Sequence, residues 1–125
     1  MATTDGSILM YITDENKRRQ IETLCTKLSI KTKQLKPADL NKTIGNLAGI
    51  RGISGQKNVK VPFGYTLPEI IIFSGIIDNK LDKFLEQYRN EGIDIVELKA
   101  IVTPTNITWT LYELVQELKA HQYEN

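Results

Sequence analysis

Few side chains in this sequence could do chemistry, and each has a plainer structural use. Thr13-Asp14-Glu15-Asn16 places two carboxylates behind a hydroxyl, a set that could hold Mg²⁺ through a few oxygens and retained water. Acidic residues also suit a first helical turn, where they meet the positive end of the helix dipole, and capping is the reading adopted. A phosphotransfer site of that kind would further need an aspartate after the third predicted strand, where Ser74-Gly75 stands. Cys25 is the only cysteine and His121 the only histidine. They lie far apart in the sequence, so neither a Cys-His pair nor a Ser-His-Asp triad can be assembled. No Cys/His cluster has metal-ligand spacing. The expectation is no catalytic residue, no metal and no cofactor.

Two stretches remain as binding candidates. Between 48 and 68 the chain runs for roughly twenty residues without a helical or strand period, where most connections take ~4–6. This stretch carries Gly49, Gly52, Gly55 and Gly64 together with Arg51, Lys57 and Lys60. Glycines let a backbone approach an anion and the cations would neutralise it. The spacing is neither a Walker A loop nor a dinucleotide fingerprint, and no strand leads into it, so a mobile spacer is preferred to an anion cradle. The second stretch, Leu98-Lys-Ala-Ile-Val-Thr-Pro-Thr-Asn106 followed by Trp109, has a proline that keeps Thr103 extended and an asparagine able to turn the chain or cap the next element. Lys99 could meet a ligand or lie along the surface, and Trp109 could staple a helix start to the core.

The elements that must position these residues are set by periodicity. Ile8–Ile12 and Glu69–Phe73 are short continuous apolar runs, as in strands covered on both faces. Asp14–Leu28 carries an apolar stripe at Ile21, Leu24, Cys25 and Leu28, which also assigns Cys25 to the core. Asp78–Arg89 carries Leu81, Phe84, Leu85 and Tyr88, with Gly92 as its stop. Ile30–Leu35 is polar enough for an edge strand whose lysines discourage edge pairing. Pro37 can open a helix burying Leu40, Ile44 and Leu47. A last strand spans about Ile95–Val102. The final helix starts near Thr110, where Thr110-x-x-Glu113 has capping-box spacing, and buries Leu111, Leu114, Val115 and Leu118.

Strand, helix, strand, helix thus occurs twice, and Ile30-x-x-x-Gln-Leu-Lys36 aligns with Ile93-x-x-x-Glu-Leu-Lys99. An internal duplication is expected, with halves at about 7–48 and 69–121 joined by the 48–68 loop. The fold class is α/β: one small domain, a (βαβα)×2 pseudo-repeat around a mostly parallel four-stranded sheet of order 2-1-3-4, flanked by helices. In that arrangement the turns after strands one, three and four share a rim, where open α/β sheets take ligands.

Composition bounds the partners. The 125 residues suit one core, and 41% hydrophobic with 25% charged residues is ordinary for a soluble globular chain. The 16 basic and 15 acidic residues leave a formal charge of +1, so no global field collects nucleic acid or anionic lipid. A lone thiol fits a reducing compartment. Met-Ala-Thr-Thr-Asp-Gly lacks a signal-peptide pattern and no apolar run reaches membrane-spanning length, so a cytoplasmic protein is expected.

Glu69-Ile-Ile-Ile-Phe-Ser-Gly75, Asp82-x-x-Leu85, Arg89 and the series from Leu98 to Trp109 together resemble a small bacterial family catalogued as domain of unknown function 3783. The match runs from about Glu69 to His121, is most specific at Leu98–Trp109, and implies no activity. The function expected is therefore a noncatalytic binding or regulatory module. Its site would be the shared rim, built from Thr13, Asp14, Ser74, Gly75, Lys99, Thr103, Pro104, Asn106 and Trp109, with Arg51, Lys57 and Lys60 as loop anion contacts. A small anionic ligand or a protein would be its partner, and a homodimer is left open. The alternatives are an enzyme acting on a phosphorylated or nucleotide substrate, with Lys99 stabilising charge, and RNA binding through basic and aromatic residues.

Overall fold

The computed structural model describes residues 6–121. Along the chain run β1 (Ser7–Tyr11), α1 (Glu15–Lys27), β2 (Lys31–Gln34), a 3-10 turn (Pro37–Asp39), α2 (Ile44–Leu47), β3 (Ile70–Ser74), α3 (Asp78–Asn90), β4 (Leu98–Ile101) and α4 (Leu111–His121). The helix expected from Pro37 is broken in two, and β4 begins three residues later than Ile95.

The four strands form one sheet in the order β2-β1-β3-β4, as expected, but the sheet is mixed. β1 pairs in parallel with β2, and β3 with β4, while the central β1 and β3 are antiparallel. The apolar runs of β1 and β3 are buried on both faces, as the sequence indicates. Ile8, Met10, Ile71 and Phe73 pack with α1 and α3, and Leu9, Ile70 and Ile72 pack with α2 and α4. Two covered faces say nothing of strand direction, and that is where the parallel expectation failed. The connection from β2 to β3 leaves and re-enters on one rim instead of crossing the sheet, so β3 runs back along β1.

The two halves resemble one another in part of their geometry. β1 begins at 7 and β3 at 70, and α1 begins at 15 and α3 at 78, so one offset of 63 carries both elements over at equal length. Both helices end alike. Ser29 (φ 59°) and Gly92 (φ 67°) take the left-handed conformation, and the next amide, Ile30 or Ile93, donates back to the Cys25 or Tyr88 carbonyl. Leu9, opposite Ile72, lies at the pseudo-two-fold. The aligned Gln34-Leu-Lys36 and Glu97-Leu-Lys99 are not structurally equivalent. Ser7 faces Lys31, 24 residues on, whereas Ile70 faces Leu98, 28 residues on, so the second half carries four extra residues before its outer strand.

The 48–68 connection holds no helix or strand but is strapped to its surroundings. The Thr43 amide and hydroxyl donate to the Gly55 and Ser54 carbonyls at 3.0 and 2.6 Å. Tyr65 stacks edge-on against Tyr112 at 5.0 Å, and Leu67 is buried.

Candidate functional site

Because β1 and β3 run oppositely, the expected rim divides in two. Thr13 and Asp14 come after β1 at one end of the sheet; Ser74, the last residue of β3, with Gly75, Thr103 and Pro104, lies at the other. Lys99 is at neither rim. It sits within β4 beside Ile71, on the α3 face. Trp109 is half-buried against the α2/α4 side of the core, which is the packing role. No contact joins the three loop cations: Lys57 reaches Glu113 at 3.3 Å, and Arg51 and Lys60 are exposed.

At the first rim the carboxylate that matters is Glu69. Its Oε2 accepts from the Thr13 amide and hydroxyl, both at 2.8 Å, and from the Asp14 amide at 3.2 Å, while Oε1 accepts from Lys17 Nζ at 2.6 Å. Burial alone would raise the Glu69 pKa, but hydrogen bonds from the Lys17 ammonium, the Thr13 hydroxyl and the Asp14 and Thr13 amides outweigh it and bring it down to about 2. Asp14 is the N-cap of α1, accepting from the Lys17 amide at 3.0 Å, and Glu15 pairs with Arg19 at 2.8 Å. This end is a closed polar knot that ties β3 to α1. The sequence reading missed it because Lys17 and Glu69 lie 52 residues apart and meet only in the antiparallel arrangement.

The opposite rim is open. A groove of about 840 Å³ is lined by Gly6, Ser7, Lys31, Thr32, Lys33, Ser74, Gly75 and Thr103, among others, with Gly49 and Ile50 from the start of the long connection. Its floor depends on a close approach of backbones. Gly6 has φ +92°, and a Cβ there would lie 2.8 Å from the Gly75 carbonyl oxygen. Lys33 Nζ donates to the Leu47 carbonyl at 3.3 Å; Lys31 is exposed on the edge strand. Thr103 and Pro104 line this groove, and among the described residues no peptide bond is cis, Pro104 included. Asn106 is spoken for: Oδ1 accepts from the Thr103 amide at 2.9 Å, its own amide donates to Thr103 Oγ1 at 3.2 Å, and Nδ2 donates to the Ile101 carbonyl at 3.0 Å. These bonds close the turn. Gly6, Ser7, Lys31 and Lys33 line the groove as well, and sequence reasoning named none of them. Edge protection accounts for Lys31 and Lys33 without a ligand, and Gly6 offers no signal without knowledge of the backbone that passes beside it.

Fold and site together define a small α/β domain of two βαβα halves with one knotted and one open rim. Residues 69–123 match the model of a family described as a domain of unknown function, DUF3783, which bears out the resemblance read from Glu69 to His121. The match covers the second half; β1, α1 and the long connection lie outside it. No curated protein and no solved structure matches the chain. No helix among the described residues is long and apolar enough to cross a membrane.

Proposed function

We propose that this chain is a noncatalytic binding or regulatory module that takes a small anionic ligand in the open groove, in the cytoplasm of a bacterium. The observation that carries the reading is the groove's lining. Lys31, Lys33, Ser7, Thr32, Ser74 and Thr103 line it, and among the described residues that line it there is no carboxylate. Cations and hydroxyls over a glycine-floored cleft suit phosphate or carboxylate oxygens. The same lining has no histidine, cysteine or carboxylate, the side chains that most often move protons in catalysis, which supports binding over catalysis. The buried lone thiol supports a reducing setting.

A thermal-shift screen against inorganic phosphate, sugar phosphates and nucleotides tests this. Ligand at a hundred times its Kd stabilises the folded state by ~2.7 kcal/mol. One anionic class should raise Tm, and Lys31→Ala should abolish the rise while leaving the unliganded Tm unchanged. If no compound shifts Tm, or if the Lys31→Ala protein responds like the wild type, the reading fails.

A further inference from the structure

We propose that two copies of this chain pair through the outer edge of β4, antiparallel and centred on Leu98. β4 ends the sheet, so one side of its backbone has no strand beside it. The Val102 amide donates to the Phe73 carbonyl at 2.9 Å. By alternation Leu98 and Ala100 also bond inward, and Lys99 and Ile101 turn their amides and carbonyls outward. The other edge, β2, is guarded by exposed Lys31 and Lys33, whereas β4 alternates signs. Ile95 and Ile101, 73% and 52% exposed, bracket exposed Glu97 and Lys99.

A two-fold axis perpendicular to the sheet pairs residues of the same face, which allows three registers along this edge. Centring on Lys99 sets two ammonium groups against each other. Centring on Ala100 sets each Lys99 against the partner's Ile101 and leaves no pair of opposite charges. Centring on Leu98 sets Glu97 against the partner's Lys99, Lys99 against the partner's Glu97, and each Ile95 against an Ile101, so the exposed set is complementary to itself. The chain bends at Glu97, so the shared ladder is short and apolar contact must supply the rest. Beside β4 lies a cavity of about 570 Å³ lined by Leu81, Leu85, Ile101, Trp109 and Leu118 among others, at the edge where the partner's Ile95 arrives.

Light scattering on the full chain decides the matter. At high micromolar concentration the wild type should weigh about twice its 14.2 kDa. Glu97→Lys and Lys99→Glu should each be monomeric, and an equimolar mixture of the two should return to the dimer mass, because only the mixed pair restores both opposite-charge contacts. A monomeric wild type, a dimeric single variant, or a mixture that stays monomeric overturns the proposal. Should either reversal unfold the chain by circular dichroism, the double variant Glu97→Lys/Lys99→Glu decides alone: dimeric supports the register and monomeric overturns it.

Discussion

Removing Glu69 should cost far more than removing the lysine it binds. The Lys17 side chain is 11% exposed and that of Glu69 22%, so Glu69→Ala strands a nearly buried ammonium and frees the Thr13 and Asp14 amides. Breaking a buried pair this way costs ~3–5 kcal/mol, and partial water access puts this case at the low end, about 3 kcal/mol. Lys17→Met keeps the apolar stem, and Glu69 retains its three bonds from Thr13 and Asp14, so the loss should be about 1 kcal/mol or less. The folded Glu69 carboxyl titrates at about 2 against an ordinary 4.5. Its contribution is therefore complete above pH 4.5 and drains away as pH falls toward 2. The full linkage would be ~3 kcal/mol, which solvent screening reduces to about 1–2 kcal/mol. Urea unfolding of the wild type and both variants from pH 7 down to 2.5 measures the two effects together. The reasoning is refuted if Glu69→Ala is no more destabilising than Lys17→Met, or if its stability falls with acid in parallel with the wild type.

Cys25 is fully buried, and burial first, then the nearby Glu22 charge, pushes its thiol up to about 12. At pH 8 only about one molecule in ten thousand carries the thiolate, so a disulfide reagent should label the protein at the rate at which it opens in urea. Rapid stoichiometric labelling of the native protein would contradict this. Gly6→Ala combines a left-handed φ with a Cβ 2.8 Å from the Gly75 carbonyl oxygen, whereas Gly49→Ala has left-handed φ but nothing within 4 Å. Urea midpoints should show Gly6→Ala worse by more than about 1 kcal/mol; equal losses would mean that no tight backbone contact forms the groove floor.

Local physics was legible in the sequence and strand direction was not. The stripes of α1 and α3, the left-handed stop at Gly92 and the Thr110/Glu113 capping box, seen as reciprocal bonds of 2.9 and 3.1 Å, are all short-range patterns. So is the two-sided burial of β1 and β3. The direction of β3 relative to β1 is decided by the path of the chain from Gln34 to Ile70, and no periodicity records that path. The candidate site inherits the fault. Grouping Thr13 with Ser74 and Thr103 rests on the premise of a shared rim, which the antiparallel pairing of β1 and β3 removes, and the bonds by which Asn106 closes its own turn are set by backbone geometry that the sequence does not carry.

The pseudo-two-fold relates the knotted junction to a counterpart of different content at the other rim. The offset of 63 that carries β1 onto β3 carries Gly6 onto Glu69, Thr13 onto Ile76, Asp14 onto Ile77 and Lys17 onto Lys80. In the first half Glu69 reaches Thr13, Asp14 and Lys17. In the second, the corresponding neighbour of Gly6 is again the matching residue: a Cβ on Gly6 would lie 2.6 Å from Ile76 Cγ1. The two junctions thus keep the same contact geometry with opposite contents. A long carboxylate fills one and stitches strand to helix; at the other, Gly6 has no side chain and is buried against Ile76 and the Gly75 backbone. A side chain cannot be restored at Gly6 without moving Ile76 and the Gly75 backbone, so the close approach of Gly6 and Gly75, both of which line the groove, is fixed by backbone geometry.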